Sequence, residues 1–465
     1  MMHVFTMPAD RWDETKPDKL TILHLIQKHA GMVTQLKEKK DYYEGKHKIL
    51  GEKRENKLVC NHAKDISDTA SAYFIGNPVT YKSAEDITKL IDALTAAGAD
   101  EADGDNGLDL SIYGRAYEYI YTKAGETRLE IRNLEPENTF VVYDDTIEQN
   151  ELFAVYYYAR IDSTDRTPIT YIATVMTKNY KYVLNIQAIE SPQALVEPPE
   201  PHFKGEVPVI EYLNNKLAIG DFELQIPLID AYNALMSDRV TDKEQFIDAI
   251  LVLYGTLLSD EGEGSSLTEA QSALKSKKLL EMPAEGSRAE YLTRTFDESG
   301  VEILKKALEQ DIHKFSHIPC MTDESFGGNT SGVALEYKLL GMENITKIKT
   351  RYYKKGLRKR IRIFCNYLHT SGAEILDPNV ITPVLTRAMP KNLLEISQYV
   401  ANLWGKVSSK TLMAQIPFVD NVEEELKAVE EENQKAMKRQ QEMLGFTQNT
   451  PPEEDEDIEP EKQDE

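Results

Sequence analysis

Five prolines between residues 191 and 208 divide this chain into two regions with different hydrophobic periods. Proline lacks a backbone N–H and fixes its own φ angle, so a segment this rich in proline forms neither a helix nor a central strand. We therefore predict a linker or an irregular loop there. Before it, short segments rich in Tyr, Val and Ile predict β-strands, whereas after it apolar residues recur at a helical period. The predicted strands are 116–122, 127–132, 138–143, 151–159, 169–177 and 180–188.

Three helices are predicted ahead of these strands. The first covers residues 18–30, and the third lies around 85–97. The second covers 58–75 and ends before Gly76 and Pro78, which cannot extend it. The first part of the chain is therefore expected to be mixed α and β.

The second part is predicted to begin with a pair of long helices. Residues 226–254 have no Pro or Gly between Pro227 and Gly255, and a helix of that length measures about 40 Å. Glycine and proline interrupt residues 260–297, which predicts a small irregular module. A returning helix is expected over 298–316.

A loop and a very long helix are predicted to follow. The loop runs from Ile318 to Gly332, and the helix continues to about His369. Gly341 and Gly356 lie inside the helical pattern, and either is a plausible kink. Two or three shorter helices are predicted within 391–446. The fold class is therefore α+β.

Charge is distributed unevenly along the chain. The 465 residues include 54 basic and 78 acidic side chains, which gives a net charge of −24. The last 19 residues, 447–465, hold nine acids, one lysine and no aromatic residue, so we predict that this tail is disordered. Residues 347–362 reverse the balance, with nine basic residues and no acid. The net negative charge would normally argue against nucleic-acid binding, but the basic segment 347–362 does not.

The composition argues against a membrane, secreted or disulfide-based protein. The longest stretch without a charged residue, Thr69 to Tyr81, is shorter than the roughly 20 residues of a spanning helix. Charged residues from Asp10 onward interrupt any apolar core of a secretory signal. Cys60, Cys320 and Cys365 are far apart and form no CxxC pair, which is typical of a reducing compartment.

One pair of histidines has the spacing of a metal site. His313 and His317 lie four residues apart and would share one helix face. A zinc protease would need Glu after the first histidine, where this chain has Lys314. A helix-surface or packing role is the better interpretation, and no metal is predicted.

Two further segments resemble ligand-binding loops without matching them. The run from Glu101 to Gly107 is similar to a calcium loop, but Asn106 and Ile112 stand where Gly and Glu are required, so a polar turn is predicted. The glycine-rich segment from Phe326 to Gly332 lacks the lysine of a phosphate-binding P-loop. We expect a mobile loop there, with Ser331 capping the next helix. No cofactor and no catalytic residue are predicted.

The basic segment 347–362 has two interpretations. On a helix, four of its cations share one face through their i, i+4, i+7 and i+11 spacing: Arg351, Lys355, Arg358 and Arg362. An apolar stripe lies beside them, formed by Leu357, Ile361, Phe364 and Leu368. The face is either solvated or in contact with a polyanion. That polyanion would be nucleic acid or an acidic surface of a neighbouring subunit.

Several segments of this sequence, in their order and spacing, resemble those of a known protein family. They are Tyr42 to Ile49, Asn56 to Leu58, Asn61 to Tyr81, Tyr113 to Tyr117, Pro136 to Asp145, Leu228 to Tyr232, Met236 to Asp238 and Ile318 to Gly332. Together they resemble the portal proteins of tailed bacteriophages, of the type found in long-tailed phages of Gram-positive hosts. The resemblance covers most of the chain.

The resemblance implies a ring, usually of twelve subunits, at one vertex of the virion capsid. Double-stranded DNA would pass through its central channel, driven by a separate motor containing the terminase large subunit, and would later be ejected. Major capsid and scaffolding proteins, and a head-completion or adaptor protein, would be further partners. Assembly would take place in the bacterial cytoplasm, without membrane contact and without enzymatic activity of the ring itself.

The resemblance also implies a role for each part of the chain. The implied parts are the wing (1–225), a stem helix (226–254), the clip (255–297), the returning stem helix (298–317), a tunnel loop (318–332), a long kinked wing helix (333–369), a helical crown (370–446) and the acidic tail (447–465). The tunnel loop would project towards DNA through Asp323, Glu324, Ser325, Phe326, Gly327, Gly328, Asn329 and Thr330.

An acidic lining is consistent with such a channel. Every Lys or Arg on a phosphate adds affinity for DNA of any sequence, so a conduit should avoid them. Segment 226–254 has five acids and two bases, and the loop 318–332 has two acids and no base. The proposed stem acids are Asp230, Asp238, Asp242 and Asp248. Two alternatives are a monomeric nucleic-acid-binding protein that uses helix 347–362, and an enzyme with an unrecognised site; both predict small species instead of a ring.

Overall fold

The structure is a computed structural model, and it divides into two compact units, residues 1–388 and 389–465. The described residues are 5–123, 125–161, 168–186, 195, 197–247, 250–254, 288–292, 298–320, 332–373, 375–387, 393–413, 416, 419 and 422–445.

The first unit contains all the described strands and most of the helices. The strands are β1 (Phe5–Met7), β2 (Thr80–Lys82), β3 (Arg115–Thr122), β4 (Leu129–Leu134), β5 (Thr139–Asp144), β6 (Glu151–Ile161), β7 (Pro168–Met176), β8 (Tyr180–Asn185), β9 (Glu200–Pro201), β10 (Val209–Leu213), β11 (Ile250–Tyr254), β12 (Arg288–Leu292) and β13 (Thr382–Val384). The helices are α1 (Lys19–Tyr43), α2 (His62–Ile75), α3 (Thr88–Ala96), α4 (Ala99–Tyr113), α5 (Ile226–Ile247), α6 (Glu298–Ser316) and α7 (Gly332–Thr370). The fold is therefore mixed α and β, as the sequence predicts.

A six-stranded sheet has the order β1-β5-β6-β7-β8-β9. Strand β1 pairs parallel with β5, and the other neighbours pair antiparallel. Alternate residues such as Phe140 and Val142 point into a core that Ile22 of α1 helps to fill. All six segments rich in Tyr, Val and Ile form strands: four of them, β5 to β8, belong to this sheet, and β3 and β4 belong to a second sheet. In the predicted irregular segment 191–208, the two-residue strand β9 lies at a sheet edge, where proline is tolerated.

A three-stranded antiparallel sheet, β10-β3-β4, follows directly from α4. Gly114 joins α4 to β3 with a φ of +80°, a left-handed conformation that favours glycine. A Cβ atom at this position would lie 2.1 Å from the carbonyl oxygen of Ala218. The turn therefore requires glycine both for its backbone angle and for the close approach of residue 218.

Helix α7 crosses this second sheet and forms the centre of the largest apolar cluster. Tyr353, Leu357, Ile361 and Phe364 are fully buried in that cluster. The helix is continuous across both of its internal glycines. At Gly356 the ring of Tyr212 approaches so closely that a Cβ atom would lie 2.3 Å from it, so this glycine makes room for the contact with β10.

The prediction of a polar turn at Glu101 to Gly107 is wrong, because this segment lies inside α4. Acids in the first turn, including Glu101, are favourable at a helix N-terminus. Gly107 packs so closely on α2 that a Cβ atom would lie 2.5 Å from Ile75. Tertiary packing thus outweighs the weak helix propensity of this Asp- and Gly-rich run.

The other differences concern element ends. The predicted helix 226–254 ends at Ile247, and Ile250–Tyr254 instead forms β11, which pairs antiparallel with β12. A short apolar run does not distinguish a strand from a helix by period alone. Helix α1 extends to Tyr43, well past the predicted end at residue 30. The returning helix over 298–316 is confirmed.

The second unit contains three helices in its described residues: α8 (Leu393–Leu403), α9 (Ser409–Met413) and α10 (Val422–Gly445). This agrees with the predicted two or three helices over 391–446. The acidic tail 447–465 lies outside the described residues. In the described part of the whole chain, every helix is too short or too polar to cross a membrane.

Candidate functional site

Helices α5 and α6 pack against each other as an antiparallel pair. Near the end of α5, Lys243 lies 3.0 Å from Glu298 and Arg239 lies 2.9 Å from Glu302, both near the start of α6. At the other end, His62 of α2 contacts both helices, with its ring centroid 4.7 Å from that of Tyr232 on α5 and 5.7 Å from that of His313 on α6. These contacts fix the relative position of the two helices proposed as the stem.

The end of α1 and the segment between α1 and α2 lie along α5 and bind its polar residues. The Tyr42 hydroxyl donates to Asp230 at 2.6 Å, and burial raises the pKa of Tyr42, which keeps this donor protonated. The backbone N–H of Leu58 donates to Ser237 at 2.9 Å, and the Asn233 side chain meets His47 at 2.8 Å. Four of the segments that carry the family resemblance therefore meet here: Tyr42 to Ile49, Asn56 to Leu58, Leu228 to Tyr232 and Met236 to Asp238.

The structure places the proposed stem acids in different environments. Asp230 accepts a hydrogen bond from Tyr42, whereas Asp238 forms an ion pair with Arg54 at 2.5 Å. Asp242 is half-buried on α5. Asp248 lies outside the described residues. An acidic channel lining stays a prediction.

The two histidines do not share a helix face. Helix α6 ends at Ser316, and His317 has a left-handed φ of 58°. His313 is buried, with Nδ1 lying 3.0 Å from the carbonyl oxygen of Ile318 and its ring against His62. Among the residues that the structure describes, His, Cys, Asp and Glu form no group suited to a metal ion. His313 therefore has a packing role.

Most of the proposed tunnel loop, residues 321–331, lies outside the described residues. This applies to Asp323, Glu324, Ser325, Phe326, Gly327, Gly328, Asn329 and Thr330, and to the capping role of Ser331. Ile318, at its start, is buried.

The inner face of α7 holds a buried charge network centred on Arg360. The Arg360 guanidinium donates to Asp103 of α4 at 3.1 Å and to Glu118 of β3 at 2.9 Å, and all three residues are nearly inaccessible to solvent. Burial alone lowers the pKa of Arg360, but the charges of Asp103 and Glu118 outweigh it and raise the pKa well above its usual value. The hydroxyl of Tyr212 donates to Glu118 at 3.1 Å, and Tyr353 donates to Asp103.

Other cations of the same segment are also paired within the chain. Lys349 lies 2.6 Å from Asp221, and both side chains are buried. Arg362 donates to both oxygens of Glu206, at 2.5 and 3.0 Å. Lys359 pairs with Glu151 of β6 and Lys347 with Glu343. The pairs with Asp221, Glu206 and Glu151 tie α7 to the strands and loops around it, whereas Lys347 and Glu343 both belong to α7.

The sequence analysis missed this network, although the sequence contained a signal for it. Arg360 occupies a position of the apolar stripe, seven residues after Tyr353 and four before Phe364. A cation at a core position of a helix requires a buried anion. Asp103 and Asn106 on one face of α4 could then have been considered as partners.

The outer face of α7 keeps three exposed cations. Arg351, Lys355 and Arg358 are exposed, and none forms an ion pair with any residue in the described part of the chain. Arg362, which the spacing placed with them, is only half-exposed and is paired with Glu206. We call Arg351, Lys355 and Arg358 the outer basic face.

Comparisons with known proteins identify the family. A family model described as "Phage portal protein, SPP1 Gp6-like" matches residues 22–439. The chain is 25% identical over 425 residues to the portal protein of Bacillus phage SPP1, which covers 85% of this chain and 80% of that protein. It is also 25% identical over 252 residues to the portal protein of Clostridium phage phiCD119, covering 53% of each. The match includes the α/β region, the α5–α6 pair and α7, and the chain belongs to the SPP1 Gp6-like family of phage portal proteins.

Proposed function

We propose that copies of this chain form a closed ring at one vertex of a tailed phage capsid, with double-stranded DNA passing through the central channel. The observation that carries the proposal is the family match over residues 22–439. Twelve copies, the usual number in the family, would weigh about 630 kDa at 52.8 kDa each.

An exposed apolar face on α6 supports assembly. Leu304 and Phe315 lie on the same face of this helix by the helical period. In the single chain they are 50% and 56% exposed. Apolar side chains grouped on one surface of a soluble protein mark an interaction site. A neighbouring copy in the ring would cover them.

The α5–α6 pair is the proposed stem of the channel. Asp230 accepts from a tyrosine hydroxyl, and Asp242 forms no ion pair with a described residue. An acidic helix repels phosphate and lets DNA slide. We assign the wing, clip, tunnel loop and crown to the ranges that the family resemblance implies.

Packaging requires partners, since the family is structural and not catalytic. A motor containing the terminase large subunit would supply ATP turnover, and it would dock on the clip at residues 255–297. Major capsid and scaffolding proteins would surround the ring, and a head-completion or adaptor protein would bind it later. The ring would assemble in the bacterial cytoplasm and remain in the virion.

Particle mass tests the ring. Mass photometry of the purified chain should show a species of several hundred kilodaltons, and negative-stain images should show rings with a central hole. A nucleic-acid-binding monomer or an unrecognised enzyme would instead give species near 52.8 kDa. Purified protein that remains monomeric, or that hydrolyses ATP at a motor-like rate, would contradict the proposal.

A charge reversal tests the channel. Asp242→Lys adds a phosphate contact to the stem and should slow packaging of DNA into assembled proheads, more strongly at low salt, where screening is weaker. Asp92→Lys makes the same change at an exposed position of α3 and is the matched control. Equal packaging rates for the two variants would show that α5 does not face the DNA.

A further inference from the structure

Two surfaces of the α4–α7 pair point in opposite directions. Successive helical residues are rotated by about 100°, so the three residues of the outer basic face lie about 140–180° from Arg360 around α7. On α4, Asp105 and Asp109 lie about 120–160° from Asp103 by the same geometry. Because Arg360 and Asp103 face each other, the outer basic face and these two acids are directed away from each other.

Asp105 and Asp109 line an acidic groove on that far side. The groove has a volume of about 360 Å³ and lies between the end of α1, α4 and residues 133–136. Its acids are Glu44, Asp105, Asp109 and Glu135, and its one cation is Lys40. Lys40 already lies 3.5 Å from Glu137. Glu44 already pairs with Lys46, so Asp105, Asp109 and Glu135 are the acids of this groove without an ion-pair partner in the described chain.

The environment of Asp109 raises its pKa. Burial raises its pKa to about 8, and the nearby charges of Asp105 and Glu135 add to the shift, which Lys40 opposes. Neither Asp105 nor Asp109 forms an ion pair with a described cation. The negative charges of Asp105 and Glu135 both act at this position, and a cation entering the groove would offset them.

A tyrosine-lined cleft continues from the groove. It has a volume of about 390 Å³, and its lining includes four tyrosines and one cation, Arg132: the tyrosines are Tyr119, Tyr121, Tyr156 and Tyr158. The two cavities share Leu134 and Glu135. Tyrosine and arginine are both enriched at protein interfaces, where an arginine stacks on an aromatic ring. The combined surface suits an arginine-containing protein segment.

We propose that the outer basic face of α7 in one copy docks in the acidic groove of the next copy. The occupant is a second copy of this chain, since its charge is complementary and its outer basic face is unpaired. Surfaces that point in opposite directions form a head-to-tail contact, which is the type of contact that closes a ring. The inference rests on the proposed ring and adds the residues of one contact within it. Contact of the outer basic face with DNA would leave the acidic groove without a partner.

Charge exchange tests the contact. Lys355→Glu and Asp105→Lys each place like charges together. Each should raise the protein concentration needed for ring assembly by about tenfold or more. The double variant K355E/D105K restores opposite charges at every contact and should regain most of the assembly. Lys178→Glu, in the exposed turn between β7 and β8, is the matched control and should assemble normally. Arg358→Glu, alone and with D105K, repeats the test at a second cation.

The outcomes separate this inference from the proposed ring. If the wild-type chain forms no ring, the proposed function fails. If it forms a ring and K355E assembles normally, the inference is overturned, and loss of DNA retention in those rings would assign the outer basic face to DNA. If K355E loses assembly and neither D105K double variant recovers it, the acidic groove is not the partner. Circular dichroism must show a wild-type melting temperature for each variant.

Discussion

The two faces of α7 carry the same kinds of side chain in opposite environments. On the inner face Lys349, Lys359 and Arg360 are at most 5% exposed, and each has a carboxylate partner. On the outer face Arg351, Lys355 and Arg358 are exposed and unpaired within the described chain. A basic segment is therefore not one functional unit, because the helical period assigns its residues to two different roles.

The same division occurs on α4. Asp103 faces inward and pairs with Arg360, whereas Asp105 and Asp109 face outward. Removing one member of a buried ion pair leaves an uncompensated charge, while an exposed pair contributes little. Inner residues of both helices should therefore control folding, and outer residues should control assembly. The following predictions use the dissociated chain unless stated otherwise.

The largest expected effect comes from Arg360→Met. It leaves Asp103 and Glu118 buried without their cation, and it should lower the free energy of unfolding by about 3–5 kcal/mol. Urea unfolding followed by circular dichroism measures the change. The matched control is Arg358→Met, two residues away on the exposed face, which should change stability by less than about 0.5 kcal/mol.

A second variant separates the charge effect from packing. Adding Asp103→Asn and Glu118→Gln to Arg360→Met removes the unpaired charges and should recover part of the lost stability. Equal stability losses for R360M and R358M would contradict the distinction between the two faces.

The next largest effect should come from Gly356→Ala. A methyl group there would lie 2.3 Å from the Tyr212 ring, which is fully buried and stacked on Tyr353 at 4.5 Å. Overpacking of this kind costs about 1–3 kcal/mol. In the same helix, Gly341→Ala meets its nearest neighbour, His317, at 3.5 Å and should stabilise the chain by about 0.5–1 kcal/mol through helix propensity. If both changes had the same sign in thermal unfolding, the packing explanation would be wrong.

Elements with a strong period were predictable from the sequence. The six Tyr/Val/Ile segments, the returning helix 298–316 and the long helix to residue 370 all appear close to their predicted bounds. Each depends mainly on local patterning, which the sequence shows directly. Helix α4 was not predicted, since its stability comes from contacts with α2, β3 and Arg360, and no local pattern reveals them.

The site was less predictable than the fold. Spacing grouped Arg362 with Arg351, Lys355 and Arg358, but Glu206 pairs with it, and that partner lies 156 residues earlier in the chain. The acidic groove combines residues of α1, α4 and the segment after β4. Long-range contacts of this kind depend on the tertiary arrangement. Composition alone shows only that acids are abundant.

A smaller effect is expected in the pH dependence of stability. The folded chain holds a proton on Asp109 up to about pH 8, whereas the unfolded chain releases it near 3.8. The folded state therefore binds more protons between these values, and stability falls through this group as the pH rises from about 4 to 8. The groups that act on it are Asp105, Glu135, Glu137 and Lys40.

Asp109→Asn should remove this slope. Between pH 5 and 8, the free energy of unfolding measured by urea titration should fall more steeply for the wild type than for D109N. The difference should be about 1 kcal/mol in total after solvent screening. Asp92→Asn, at an exposed position of α3 outside the groove, is the control and should retain the slope. Identical slopes for the wild type and D109N would show that Asp109 is ionised throughout this range.

The smallest expected effect is a gain in stability when residues of the outer basic face are replaced. It is opposite in sign to the losses expected on the inner face. Arg351 and Lys355 are four residues apart and Lys355 and Arg358 three apart, so like charges lie next to each other on the helix surface. Such pairs destabilise a helix by about 0.2–0.5 kcal/mol each. Replacing all three residues by Gln should therefore raise the unfolding free energy of the dissociated chain by a few tenths of a kcal/mol, although any replacement on the inner face lowers it.

The same triple variant should assemble less well than the wild type. Ring formation measured by mass photometry at low and high salt should lose most of its salt dependence, because the charges that salt screens are absent. A gain in the stability of the dissociated chain together with a loss of assembly is the combination that separates the two faces of α7. A triple variant that is less stable and assembles normally would reverse the roles assigned to them.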